Sequence, residues 1–322
     1  MPAIRPGVQG AVITGWGSAL PPKVLTNADL ESMMDTSDDW IVERTGIRER
    51  HVGGTTAGLS IESGRTALEM SGVDPAAIDA LVLATTTPDR TVPATSATVQ
   101  AELGLSCGAF DINAACSGWV YGLVNAHGLI AMGAEKILLI GTDTLARITD
   151  WDDRNTAVLF ADGSGAVVLE AVDGPGQLLG WDLDADGTAE RLLYADIGGY
   201  IHMDGKEVFR RAVRIMVDSA QKSLAHAGVT ADDIALVVPH QANTRIITAA
   251  CNRLGIEDER ASVVLDRTGN TSAASIPLAL VDALDNGRVS AGDLVLFVGF
   301  GAGMTAASAI VRWTTDAAEH QP

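Results

Sequence analysis

The strongest constraint on this chain is a repeat in the order of its patterns. The run AAIDALVLATTTPD (76–89) is followed by AACSGWVYGLVNAHGLIAMGAEKILLIGTD (114–143) and then by FADGSGAVVLEAV (160–172). The run ADDIALVVPHQAN (231–243) is followed by NTSAASIPLALVDALDNGRVSAGDLVLFVGFG (270–301) and then by GMTAASAIVRW (303–313). Each series reads as a strand led by Asp and Ile, a small-residue turn into an apolar helix, a strand, and a closing strand. A Gly/Pro turn near Asp173–Gly176 separates the two series. The expectation is two pseudo-symmetric halves, 1–173 and 174–322, in which Cys116 and Asn270 occupy comparable places at helix starts.

Apolar runs at Ala80–Thr85, Ile137–Thr142, Ala166–Glu170, Ile234–Val238 and Leu294–Gly299 are too continuous for one-sided strands and predict buried ones. Amphipathic stretches lie between them, at Leu59–Ser71, Glu207–Ala227 and Asn243–Leu254. The alternation predicts an α/β chain. With 47% hydrophobic residues it can fill a large core, and with 34 glycines and only 4% aromatics it packs backbone close to backbone.

A net charge of −19 opposes nonspecific binding to nucleic acid. Three cysteines, Cys107, Cys116 and Cys251, form no C-x-x-C and no even set, which fits a reducing compartment. Residues 112–134 carry no Asp, Glu, Lys or Arg, but Asn113, Ser117, Asn125, His127 and several glycines make them a poor lipid-facing span. A helix buried within the protein is expected there. The opening residues have no apolar signal core, and a cytoplasmic location is expected.

Three short strings could carry chemistry, two of them where strands end. Cys116 lies in Asn113-Ala-Ala-Cys-Ser-Gly118, between an expected strand and a helix. A helix N-terminus favours thiolate, and small neighbours admit a thioester. His240 follows Ala235-Leu-Val-Val-Pro239, at the carboxyl end of a strand, where α/β proteins place site residues. Asn270 lies in Thr268-Gly-Asn-Thr-Ser-Ala-Ala-Ser275. By position alone, Cys116 reads equally as an inert buried cysteine and His240 as a structural histidine. Asn270 reads more readily as a helix cap or turn. The other histidines show no metal-ligand spacing, and there is no HExxH, P-loop or strand-linked G-x-G-x-x-G.

Together with TSDDWIVERTGIRERH (36–51), FDINAACSG (110–118), FADGSGAVVLE (160–170), VPHQANTRII (238–247) and DRTGNTSAASIPLAL (266–280), these strings resemble β-ketoacyl-acyl carrier protein synthase III enzymes. The resemblance runs from about residue 11 to residue 313. It implies a thiolase fold, with duplicated α/β halves in an α-β-α-β-α layering, assembled as a homodimer. It implies decarboxylative condensation of an acyl-CoA primer with malonyl-acyl carrier protein through an acyl-Cys116 intermediate. The products are 3-ketoacyl-acyl carrier protein, CoA and CO2, and the step initiates fatty acid or related polyketide synthesis without a metal or redox cofactor. By the same resemblance His240 and Asn270 complete the triad, and the backbone N–H groups of Cys116 and Ala302 form an oxyanion hole. Trp40 and Arg154 sandwich the adenine of CoA, while Thr36, Arg44, Asn243 and Arg245 line its channel. Phe160 borders the acyl pocket, and Val92 reaches into the pocket of the partner subunit.

Two departures stand out. Many relatives carry three glycines where this chain has Gly301-Ala302-Gly303, and the stretch from Asp186 to Gly205 looks short. Valine at 92 and that short stretch predict tolerance of primers longer than acetyl. Against 41 acidic residues there are only 22 Lys and Arg, so Arg210, Arg211 and Arg214 stand out, with Arg245 and Arg253 on the next expected helix. They are read as a docking surface for an acidic carrier protein; a solvated helix face is the plainer alternative. The main competing activity is an acyltransferase on the same fold that forms an ester or amide without decarboxylation. Type III polyketide synthases, degradative thiolases and non-catalytic partner subunits fit the strings less well.

Overall fold

The structure, a computed structural model, describes residues 9–314. The first sheet contains β1 (Gln9–Ala19), β2 (Ala80–Ala84), β3 (Gly108–Ile112), β4 (Lys136–Thr144) and β5 (Asp162–Asp173), in the order β1-β5-β4-β2-β3. β2 runs parallel to both β3 and β4, while β5 is antiparallel to β4 and β1. The second half opens with β6 (Leu178–Ala185) and continues with a small hairpin, β7 (Leu193–Ala195) and β8 (Ile201–Met203). β9 (Ile234–Pro239), β10 (Leu294–Gly301) and β11 (Thr305–Arg312) complete a second sheet with β6, in the order β9-β10-β11-β6. β9 and β10 are parallel, and β11 is antiparallel to β10 and β6. Strand for strand, β6, β11, β10 and β9 repeat the order and directions of β1, β5, β4 and β2. β3 has no counterpart and leaves one edge of the first sheet open.

Seven helices matter for the layering: α1 (Asp38–Thr45), α2 (Thr56–Ser71), α3 (Thr95–Glu102), α4 (Gly118–Ala131), α5 (Gly205–Ala227), α6 (Thr244–Leu254) and α7 (Ser275–Asp285). α2 covers the outer face of the first sheet and α5 that of the second, while α4 and α7 pack between the sheets. The result is the expected five layers. Helix ends follow local chemistry: Thr55 caps α2 through Gly58 N–H, Asp204 caps α5 through Glu207 N–H, and Gly72 and Gly228 close the two helices in left-handed turns. The uncharged stretch resolves as α4, whose Trp119, Val120, Leu123, Ala126 and Ile130 are fully buried between the sheets. Each large apolar side chain buried this way contributes roughly 1.5–3 kcal/mol. No helix among the described residues is long and apolar enough to cross a membrane.

Candidate active site

The site forms where the middle layer begins. After β3 the chain makes a tight turn, Ala115–Ser117, before entering α4, and Cys116 sits in that turn. Ala115 is held at φ 50°, a conformation that costs a non-glycine residue roughly 1–3 kcal/mol. The corresponding turn before α7 holds Ser272 at φ 50° as well. Packing decides the neighbours: a Cβ on Gly301, at the end of β10, would stand 2.6 Å from the Cys116 nitrogen, so only glycine fits.

His240 follows Pro239 at the end of β9, and its N–H donates to the Val298 carbonyl at 2.8 Å. Its ring lies edge-on to Phe300, with centroids 5.5 Å apart. Asn270 is fixed by its backbone: its N–H donates to Leu159 O and its carbonyl accepts from Ala161 N–H, both at 2.9 Å. Its Oδ1 accepts from Ser272 N–H at 3.0 Å, so the group Asn270 has to offer is the amide N–H. Cys116, His240 and Asn270 line one narrow cavity of about 90 Å³ together with Phe160, Leu193 and Phe300. A larger cavity of about 340 Å³ meets it at Cys116, Phe160 and Leu193, and carries Ser272, Ala302 and Gly303 on its wall.

Burial governs the electrostatics. It pushes the Cys116 thiol up to about 12, with the negative charge of Asp143 adding to the effect and a hydrogen bond from Ser272 opposing it. The expected resting thiolate is therefore not what this site stabilises. Cys116 precedes the first turn of α4 and is buried, and burial is the largest influence on its thiol. Burial also lowers His240 to about 3, so its imidazole is neutral. Ser275 Oγ lies 2.6 Å from His240 Nδ1 and accepts the Gln241 N–H at 3.3 Å. Among the described contacts, Nδ1 is the sole acceptor for the Ser275 hydroxyl proton. That assigns the ring proton to Nε2, which is buried without a partner. The triad thus presents a neutral thiol and two N–H donors.

Gly303 has φ 71°, whereas Ala302 has no left-handed φ, which explains why alanine is tolerated at the second position of Gly301-Ala302-Gly303. The stretch from Asp186 to Gly205 has a structure of its own. It folds into the β7–β8 hairpin, whose Leu193, Tyr194, Ala195 and Ile201 wall the larger cavity.

The coenzyme candidates gather on α1 and its neighbours. Arg44 and Arg154 both stand over the Trp40 ring, at 4.4 and 4.8 Å from its centroid. Arg154 also donates to the Asp35 carbonyl at 2.7 Å. No gap exists between Trp40 and Arg154, so an adenine would displace a guanidinium from the indole rather than enter a waiting slot. Asn243 caps α6 through Arg245 N–H and donates to the Arg44 carbonyl at 2.7 Å, which ties the α1 and α6 groups together. The Arg245 guanidinium lies 5.3 Å from the Phe209 ring centroid. Thr36 Oγ1 is buried without a partner. Phe160 borders both cavities, while Val92 is 79% exposed and lines neither.

The arginine cluster divides. Phe209 and Val208 face the triad cavity, whereas Arg211 and Arg214 line a separate groove with Asp182, Asp184, Asp186 and Asp218. Arg211 pairs with Asp186 at 3.5 Å and Arg210 with Glu207 at 2.6 Å. The helical period turns 211, 214, 215, 218 and 222 toward β6 and sets Arg210 beside Arg214 at the border of that face. Arg253 is exposed on α6. Sequence reasoning passed over Ser272, Ser275 and Asp143, although both serines stand in the quoted string after Asn270.

A buried cysteine beside two neutral N–H donors suits acyl transfer followed by enolate stabilisation. Residues 110–187 match the family model for 3-oxoacyl-[acyl-carrier-protein] synthase III, and residues 224–313 match the model for its C-terminal part. A β-ketoacyl-[acyl-carrier-protein] synthase III of Roseiflexus sp. (strain RS-1) is 51% identical over 324 residues, covering 94% of this chain and 98% of that one. The crystal structure of the Aquifex aeolicus VF5 synthase III superposes with a TM-score of 0.93 at 43% identity, covering 94% of this chain and 100% of that one. The priming β-ketosynthase of the R1128 polyketide pathway superposes with a TM-score of 0.91 at 35% identity, covering 98% of each chain. On sequence and fold, this chain belongs to the β-ketoacyl-[acyl-carrier-protein] synthase III family.

Proposed function

We propose that the protein condenses an acyl-CoA primer with malonyl-acyl carrier protein, releasing CoA and CO2 and leaving 3-ketoacyl-acyl carrier protein. The observation that carries this reading is the unpartnered His240 Nε2, which shares one cavity with Cys116 and Asn270. In the first half-reaction the Cys116 sulfur attacks the thioester carbonyl, and the thiol proton leaves with CoA as its free thiol. The Cys116 and Ala302 N–H groups are the donors proposed for the tetrahedral oxyanion. In the second, loss of CO2 places charge on the malonyl thioester oxygen, where His240 Nε2–H and Asn270 Nδ2–H donate to it. The resulting carbanion attacks the acyl-Cys116 carbonyl; the C–S bond breaks as the tetrahedral intermediate collapses, and the released Cys116 thiolate takes a proton from solvent. No step draws on a metal or redox group. Two fixed donors aimed at a developing enolate favour condensation over ester or amide formation.

The acyl group is proposed to occupy the cavity of about 340 Å³ beside Phe160, and the coenzyme to run past Trp40, Arg44, Arg154, Thr36, Asn243 and Arg245. A homodimer is supported by the open edge of β3, where Phe110 is 37% exposed, and by the exposure of Val92 on the loop ahead of α3. A cytoplasmic location follows from the same reading. Intact-mass measurement after incubation with a panel of acyl-CoAs tests it: an acyl adduct on Cys116 is expected, followed by CO2 and a 3-ketoacyl product on adding malonyl-acyl carrier protein. An adduct without CO2 release would favour the ester- or amide-forming acyltransferase. No adduct with any thioester would overturn both.

A further inference from the structure

Asp143 lies near the end of β4 and is fully buried. Its two oxygens serve two different parts of the site. Oδ1 accepts from the Thr86 N–H at 2.7 Å, the Thr86 hydroxyl at 2.9 Å and the Thr87 hydroxyl at 2.7 Å. The Thr87 N–H and the Thr85 hydroxyl follow at 3.1 Å each. All of these belong to the loop that leaves β2. Oδ2 accepts the Ala273 N–H at 3.0 Å, across 130 residues of sequence. Ala273 closes the turn in which Ser272 N–H holds the Asn270 amide and the Ser272 side chain meets the Cys116 sulfur. Thr86 and Ser272 both line the larger cavity beside Cys116.

We propose that Asp143 is a positioning residue: its carboxylate ties the Asn270–Ala273 turn to the Thr85–Thr87 loop and so sets the Asn270 amide and the Ser272 hydroxyl against the Cys116 sulfur. The proposal deepens the condensing-enzyme reading and rests on it. The chemistry requires a carboxylate, because every partner on both sides is a donor. An asparagine offers one acceptor oxygen and turns its NH2 toward donors on the other side, so one attachment breaks whichever way the amide lies. The same buried negative charge opposes ionisation of the neighbouring thiol, an effect with a sign of its own.

The test uses Asp143→Asn in the full-length protein, with malonyl-acyl carrier protein as substrate and iodoacetamide as the probe of Cys116. Condensation kcat is expected to fall about 10- to 100-fold while KM for the carrier substrate holds, since a buried N–H is left without its acceptor. Alkylation of Cys116 is expected to persist, with its rate–pH curve moved to lower pH. A wild-type kcat would overturn the proposal. So would an equal fall in condensation and alkylation with an unmoved pH curve, the mark of a purely structural residue. Should circular dichroism show that Asp143→Asn does not fold, Thr85→Val removes one bond from the same oxygen and keeps the charge. Its kcat is expected to fall about threefold to tenfold with the alkylation curve unmoved; an unchanged kcat would count against the proposal. Wild-type protein that is alkylated at Cys116 yet releases no CO2 would sink the condensing reading instead, and the alkylation shift would still test the placement of Asp143.

Discussion

At the scale of single residues, the site keeps its reactive groups neutral until substrate arrives. With the thiol pushed up to about 12 and the imidazole lowered to about 3, both groups fold in uncharged form. The linkage follows directly. His240 stabilises the fold above its unfolded value of 6.5 and loses that contribution as pH falls toward 3; Cys116 contributes below 9.0 and loses it as pH rises toward 12. Iodoacetamide alkylation of Cys116, followed by peptide mapping to separate it from Cys107, is therefore expected to keep accelerating through about pH 8 to 10. A plateau near neutrality would contradict the burial argument. Ser275→Ala tests the tautomer: without the hydroxyl, Nδ1 loses its donor and the Nε2–H form is no longer favoured. Condensation is expected to slow about tenfold, with acylation of Cys116 less affected and Ser275→Thr restoring part of the loss. Equal loss in both half-reactions would remove Ser275 from this role. Cys116 and His240 were legible because each follows a strand end, and Asn270 because its string matches the family pattern, its own position reading only as a cap or turn. Ser275 and Asp143 were not, because their partners lie 35 and 130 residues away and no local pattern points to them.

At the scale of elements, continuous apolar runs announced β2, β4, β9 and β10 because strands buried on both faces leave that trace. The β7–β8 hairpin left none: strands of three residues are too short for a period, and the stretch read as a simple shortening. The arginines of α5 were grouped by helical spacing, but the aspartates that Arg211 and Arg214 meet come together only once α5 packs on β6. This geometry predicts that Arg245→Glu raises KM for malonyl-acyl carrier protein at low salt. Arg211 and Arg214, set among aspartates in their own groove, should matter little. Raising salt to about 1 M should erase the Arg245 effect, because screening then acts within about 3 Å. A larger KM change in an Arg211→Glu, Arg214→Glu protein than in Arg245→Glu would reverse this assignment.

At the scale of the molecule, the duplication is what builds the site. Each half starts a central helix from a strained small-residue turn; one turn carries Cys116 and the other follows Asn270. The layered fold was legible because that order repeats along the chain. The open edge at β3 was not, because it appears only once the sheets are assembled. If that edge is where two copies meet, Phe110→Glu should shift the protein toward monomer in sedimentation equilibrium, and an unchanged dimer would place the interface elsewhere. Val92→Phe should then narrow the range of primers, read as kcat/KM across acyl-CoAs of increasing length. The central claim is that Cys116 accepts the acyl group while His240 and Asn270 serve the decarboxylation. It is tested most directly by loading Asn270→Ala with acyl-CoA, weighing the intact protein, and then measuring CO2 from malonyl-acyl carrier protein. The account predicts an acyl adduct on Cys116 and a decarboxylation rate about 100- to 1000-fold below wild type. An acylated Asn270→Ala protein that released CO2 at the wild-type rate would contradict it.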